Sequence, residues 1–172
     1  MEPFYYSDKK KIHLAVVQGS FAIGDIEADS SGIENICGTL RSRGFDTETV
    51  VIKGEAAVKV KAQGRISIQD LRGIVSVEHA RYITPIFQHG RAELILKDEI
   101  SMHPSQSESA LADWKKLIEQ ESLTLKRSGS FASLYLVPNP DGFRVLEVAN
   151  RLYESRMFES CHPNFLRSIA RQ

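Results

Sequence analysis

Residues 82–88, Tyr82-Ile83-Thr84-Pro85-Ile86-Phe87-Gln88, and residues 160–166, Ser160-Cys161-His162-Pro163-Asn164-Phe165-Leu166, decide how the chain is divided. Pro85 and Phe87 in the first stretch recur as Pro163 and Phe165 in the second, an offset of 78 positions. At the same offset Ile33, Ile36 and Leu40 recur as Leu111, Trp114 and Ile118, and Ile68, Leu71 and Ile74 as Leu146, Ala149 and Leu152. Each triplet has the spacing of one helix face. One such match arises by chance; three in order at one offset point to two copies of one supersecondary unit.

Working outward, the first copy reads as a strand over residues 12–18, then a helix capped by Asp29 or Ser30 and stopped by Gly44. A strand over 47–52 follows, then a turn at Lys53-Gly54-Glu55 and a strand over 57–62 with Val58 and Val60 on one face. Ser67 caps a short helix to about residue 77, and residues 82–88 close the sheet. The second copy reads as an extended segment over 93–102, with room for a short hairpin or bend near Lys97-Asp98, and a loop from Pro104-Ser105. Ser107 or Ser109 caps a helix ending near Gln120. Strands over 123–126 and 131–137 flank the turn Ser128-Gly129-Ser130. After the breaker Pro138-Asn139-Pro140-Asp141-Gly142 come a helix over 143–154 and a strand over 156–161. Each copy is β-α-β-β-α-β, so the expected fold is α+β: two tandem ferredoxin-like sandwiches with antiparallel sheets, residues 1–90 and 91–172, the second with a tail over 162–172.

The 172 residues allow two small domains, and 22 basic against 22 acidic side chains leave no global field to attract nucleic acid or an anionic membrane. The start, Met1-Glu2-Pro3-Phe4-Tyr5-Tyr6-Ser7-Asp8, is polar and acidic where a secretory signal would be basic and then apolar, so a cytoplasmic protein is expected. Cys37 and Cys161 are too few for a disulfide scaffold and read as reduced thiols. His13, His79, His89, His103 and His162 show no metal-ligand spacing, and the adjacent Cys161 and His162 would point to opposite faces of a strand. No glycine-rich phosphate loop follows a strand. Asp98-Glu99 reads as a solvated turn, and Lys9-Lys10-Lys11 as the solvated start of a strand or, alternatively, an anion site. No metal, cofactor or catalytic residue is expected, and the chain reads as something other than an enzyme.

Residues 149–167, from Ala149-Asn150-Arg151-Leu152-Tyr153-Glu154-Ser155 to Cys161-His162-Pro163-Asn164-Phe165-Leu166-Arg167, resemble the end of the propeptide of bacterial subtilisin-like serine proteases. Tyr6-Ser7 leading into Lys11-Ile12-His13-Leu14, and Pro85-Ile86-Phe87 followed by Glu93-Leu94, extend the likeness upstream. Arg156, Ser160 and His162 depart from the pattern, standing where Gly, an aromatic and an acid are usual. The Asp-Thr-Gly, His-Gly-Thr-His and Gly-Thr-Ser motifs of the protease are absent. The resemblance implies an inhibitor and folding chaperone of a subtilisin-like protease, acting in trans or on its excised catalytic domain, with export alongside that protease as the alternative to a cytoplasmic location. Phe131, Ser133, Tyr135, Val137 and Phe158 would form the protease-binding sheet face. His162, Pro163, Asn164, Phe165, Leu166 and Arg167 would lie in the cleft as a product-like tail. Two other readings fit the same element order. One is a pair of small-ligand-binding regulatory domains, since Ser31-Gly32-Ile33 before a helix resembles the amino-acid-binding type; the other is a plain interaction module.

Overall fold

The computed structural model describes residues 2–24, 30–52, 55–75, 80–104 and 108–169. Its strands are β1 (Phe4–Ser7), β2 (Lys10–His13), β3 (Ala15–Gly24), β4 (Asp46–Ile52), β5 (Glu55–Lys61), β6 (Tyr82–His89), β7 (Ala92–Pro104), β8 (Thr124–Arg127), β9 (Ser133–Leu136) and β10 (Phe158–Ile169). Its helices are α1 (Ser30–Ser42), α2 (Ile68–Ile74), α3 (Glu108–Gln120) and α4 (Phe143–Glu154). The offset of 78 survives in the elements: α1 and α3, β4 and β8, and β5 and β9 each begin 78 residues apart. The strand orders are β4-β5-β3-β6 and β8-β9-β7-β10, that of a ferredoxin-like sandwich written twice.

The compact units do not follow the two halves of the sequence. One comprises residues 15–96 with 165–172, the other residues 1–14 with 97–164. The expected cut after residue 90 therefore falls within the first of these, and β7 and β10 each contribute to both.

In the 15–96 unit, Ile23, Val58, Val60 and Ile83 of the sheet pack against Ile36 and Leu40 of α1 and Leu71 of α2. Gly44 ends α1 with φ +84°. The Gly44 and Phe45 amides bond back to the carbonyls of Arg41 and Leu40 at 3.0 and 3.1 Å, closing the last turn around a residue that needs no Cβ. Ser67 caps α2, as expected, and Asp70 bonds back to the Ser67 amide to complete the box. Asp29, Lys53, Gly54, His79, Ser105 and Ser107 lie outside the described residues, as does the side chain of Ser109. The opposite sheet face has a second cluster, Ala22, Ala57, Tyr82, Ile86 and Ile95, closed by Leu166. Tyr82 lies over Gly24, where a Cβ would stand 2.1 Å from the phenol.

In the 97–164 unit, β7 pairs β9 (Ile100↔Tyr135, Met102↔Ser133) and β9 pairs β8. Helix α4 buries Val145, Leu146, Val148, Ala149 and Leu152. The β1–β2 hairpin turns at Asp8-Lys9 and lies along α4. Tyr6 stacks on Tyr153 with centroids 4.4 Å apart, and Asn150 Nδ2 donates to the Phe4 carbonyl at 2.8 Å.

Three expected elements differ. The single strand expected over residues 12–18 is the end of β2 and the start of β3, which runs on to Gly24. β7 runs through Lys97-Asp98 without a break. The closing strand, expected to end near Cys161, continues to Ile169.

Candidate functional site

Strand β3 pairs β6 as Val16↔Phe87 and resumes as Phe21↔Pro85, so residues 17–20 face Ile86 alone. Pro85 has no amide to donate, which removes one reason for the register to stay regular. Gly19 takes φ +67°, and its carbonyl accepts from the Ala62 amide at 2.9 Å. A side chain there would be strained by its backbone and crowded by Ala62 O at 3.2 Å.

This bulge opens a cleft of about 460 Å³. Val17, Ser20 and Ile86 come from the bulge, and Asp46, Glu48, Lys59, Lys61 and Glu93 from the neighbouring strands. Val58 and Val60 point to the helices, so Lys59 and Lys61 project from the other face. There Asp46 stands directly opposite Lys61, and Glu48 opposite Lys59. Lys59 is committed to an ion pair with Glu93. Among the described residues the side chains of Asp46, Glu48 and Lys61 make no hydrogen bond or ion pair. Thr47 also touches the cleft and its buried hydroxyl has no hydrogen-bond partner, but its register with Val60 turns it to the helix side.

The 97–164 unit holds a buried charge cluster. Glu99 is 1% exposed and accepts from Asn164 Nδ2 at 2.6 Å and from Lys126 Nζ, with Lys97 Nζ 3.2 Å away. Burial pushes the Glu99 carboxyl up; the Lys126 and Asn164 hydrogen bonds and the Lys97 charge pull it down further, leaving it below the ordinary range. Asp98 and Glu99 are therefore interior residues of β7, not a solvated turn. The spacing Lys97-x-Glu99 carried the signal, because alternate strand residues share a face.

The residues expected to bind a protease are largely built into the fold. His162 Nδ1 lies 2.9 Å from the Tyr6 carbonyl, Pro163 is buried, and Asn164 holds Glu99. Leu166 is 7% exposed, Phe165 is half-buried and only Arg167 is exposed. Of the expected sheet face, Phe131 is 82% exposed. Ser133 and Tyr135 are half-buried in β9, where burial raises the Tyr135 phenol above its usual value. Val137 is buried with its amide on the Asp98 carbonyl at 2.8 Å. Phe158 is buried with its ring edge-on to Trp114. Ile33 of Ser31-Gly32-Ile33 packs on the core of the 15–96 unit instead of lining the cleft. Cys37 and Cys161 are buried free thiols, Cys161 pushed up to about 12 by burial. No helix among the described residues is long and apolar enough to cross a membrane.

No family model matches the sequence. No curated protein matches it. Among solved structures, the chain is similar to the acetolactate synthase small subunit from Thermotoga maritima, at 10% identity over 89% of this chain and 97% of that one, with a TM-score of 0.33. It is similar to the regulatory subunit of aspartate kinase from Thermus thermophilus in its ligand-free form, at 15% identity over 85% and 97%, TM-score 0.31. It is also similar to a structure of aspartokinase alpha and beta subunits, at 10% identity over 83% and 95%, TM-score 0.30. None of the three is a subtilisin propeptide. The segment expected to lie in a protease cleft is instead part of β10, with Pro163 and Leu166 buried and Asn164 on Glu99, so the reading as a propeptide-like protease inhibitor with a subtilisin-like partner is corrected.

Proposed function

We propose that the chain is a small-ligand-binding regulatory protein, not a catalyst, and that the bulge cleft of the 15–96 unit takes a zwitterion of the amino-acid class. The observation that carries this is the Asp46–Lys61 pair. The two face each other across β4 and β5, line one cleft and make no ion pair with each other. Opposite charges that do not neutralise each other are suited to a ligand carrying both an ammonium and a carboxylate. Val17 and Ile86 supply an apolar surface for its side chain, and a cleft of about 460 Å³ is of small-metabolite size. Lys59 and Glu93 neutralise each other, which leaves Asp46, Glu48 and Lys61 as the unpaired charges of the cleft.

A thermal-shift series over the common amino acids, with their amides and decarboxylated amines as controls, tests this. One or a few amino acids raise the melting temperature in a saturable way, and the controls lacking the carboxylate do not. A flat response across the series contradicts the proposal.

A further inference from the structure

A second cleft, of about 680 Å³, lies in the 97–164 unit between the β1–β2 turn and the end of α4; Lys9, Arg156, Tyr6, Tyr153, Glu154 and Glu159 line it. Its two acids are engaged. Glu154 accepts from the Tyr6 hydroxyl at 2.8 Å, and Glu159 lies 3.3 Å from His103 Nδ1. Its two cations are not: among the described residues the side chains of Lys9 and Arg156 make no hydrogen bond or ion pair.

The backbone makes these two cations unusual. Lys9 has φ +64° and Arg156 φ +61°. Lys9 is the second residue of a two-residue hairpin turn, between the Ser7↔Lys10 pair, where Asp-Gly or Asn-Gly is the favoured sequence. Arg156 follows the Ser155 cap of α4, its amide on the Tyr153 carbonyl at 3.1 Å, at the position where helices end in glycine. The other left-handed non-glycine residues among those described are Asp8, Ser122 and Asn139, short polar side chains that can bond locally. Among the described residues only Lys9 and Arg156 place a long cation where the chain asks for glycine, and both line one cleft. Local backbone strain held in this way is a mark of function.

We propose that this cleft binds a phosphate-bearing small molecule, its anion held by Lys9 and Arg156 beside the Tyr6–Tyr153 ring pair. The site is separate from the bulge cleft and does not rest on the zwitterion reading. Arg156 supplies the planar fork that suits phosphate, and Lys9 a point charge.

The test uses the full chain with phenyl phosphate as probe and phenol as the control lacking the anion. Binding is followed by calorimetry and by emission of Trp114, the chain's one tryptophan, whose ring meets Phe158 at the cleft. Phenyl phosphate binds and phenol does not. Lys9→Gly and Arg156→Gly each weaken binding about tenfold, while each raises the melting temperature by roughly 2 °C as the strain is relieved. A gain in stability together with a loss of binding is an outcome that a purely structural role for these residues does not give. Undiminished binding in the double variant, no binding by the parent, or glycine variants that melt lower than the parent would each overturn the proposal.

Discussion

Asn164 donates to Glu99 at 2.6 Å, so a residue that the sequence places in a free tail holds the most buried carboxylate of the described chain. The contact joins β10 to the middle of β7 and explains why the strand does not stop at Pro163. The polar face of the last strand is needed inside.

Glu99→Gln should cost on the order of 3 kcal/mol, because it leaves the buried Lys97 and the half-exposed Lys126 without their counter-charge. The Glu99 carboxyl sits below its ordinary range in the folded protein. Its stabilisation is therefore fully present above the unfolded value and is lost as the pH falls through the lower folded value. Denaturant midpoints measured from neutral to acid pH should fall for the parent and fall less steeply for Glu99→Gln. Equal slopes would show that Lys97, Lys126 and Asn164 do not hold the carboxylate charged.

Leu166→Ala should destabilise by roughly 2–4 kcal/mol, since Leu166 closes a cluster with Ala22, Tyr82, Ile86 and Ile95. Phe131→Ser, at an 82% exposed position, should change stability by less than about 0.5 kcal/mol. Urea unfolding of the two variants compares them directly. A neutral Leu166→Ala would mean that residues 165–167 are not part of the core.

Gly24→Ala should cost more than about 2 kcal/mol. Its methyl group would meet the buried Tyr82 ring at 2.1 Å, and the ring is boxed in by Ala22, Ala57 and Ile86. Truncating the ring in Tyr82→Leu should make the added methyl tolerable, so a double-mutant cycle should show strong coupling between the two sites.

The repeat was legible because helix-face triplets are set by burial against a sheet, and burial recurs when the unit recurs. Ile36, Leu40 and Leu71 lie in the core of the 15–96 unit, as their spacing implies. Gly44 and Ser67 act as the helix stop and cap that their residue types suggest. What escaped the sequence has physical reasons. The Asp8-Lys9 turn lacks its glycine, so no turn signal marks the β1–β2 hairpin in the sequence. Pro163 reads as a strand end, yet Pro85 shows in β6 that a proline is accepted within a sheet where the partner strand bulges. The bulge cleft was missed because Gly19 marks it only through its backbone. The alternation Asp46-x-Glu48 against Lys59-x-Lys61 was its visible half. The likeness to propeptides rested on residues 149–167, most of which are needed to complete α4 and β10 whatever the function.

Titration calorimetry of the amino acid that gives the largest thermal shift, against the parent, Lys61→Met and Asp46→Asn, tests the central claim most directly. Each cleft charge should contribute a charge-assisted hydrogen bond of about 1.5–3 kcal/mol, so each variant should bind at least about tenfold more weakly with its melting temperature unchanged in the absence of ligand. Parent-like affinity in both variants, or an amino acid that binds with no change when either charge is removed, would contradict a zwitterion site between Asp46 and Lys61.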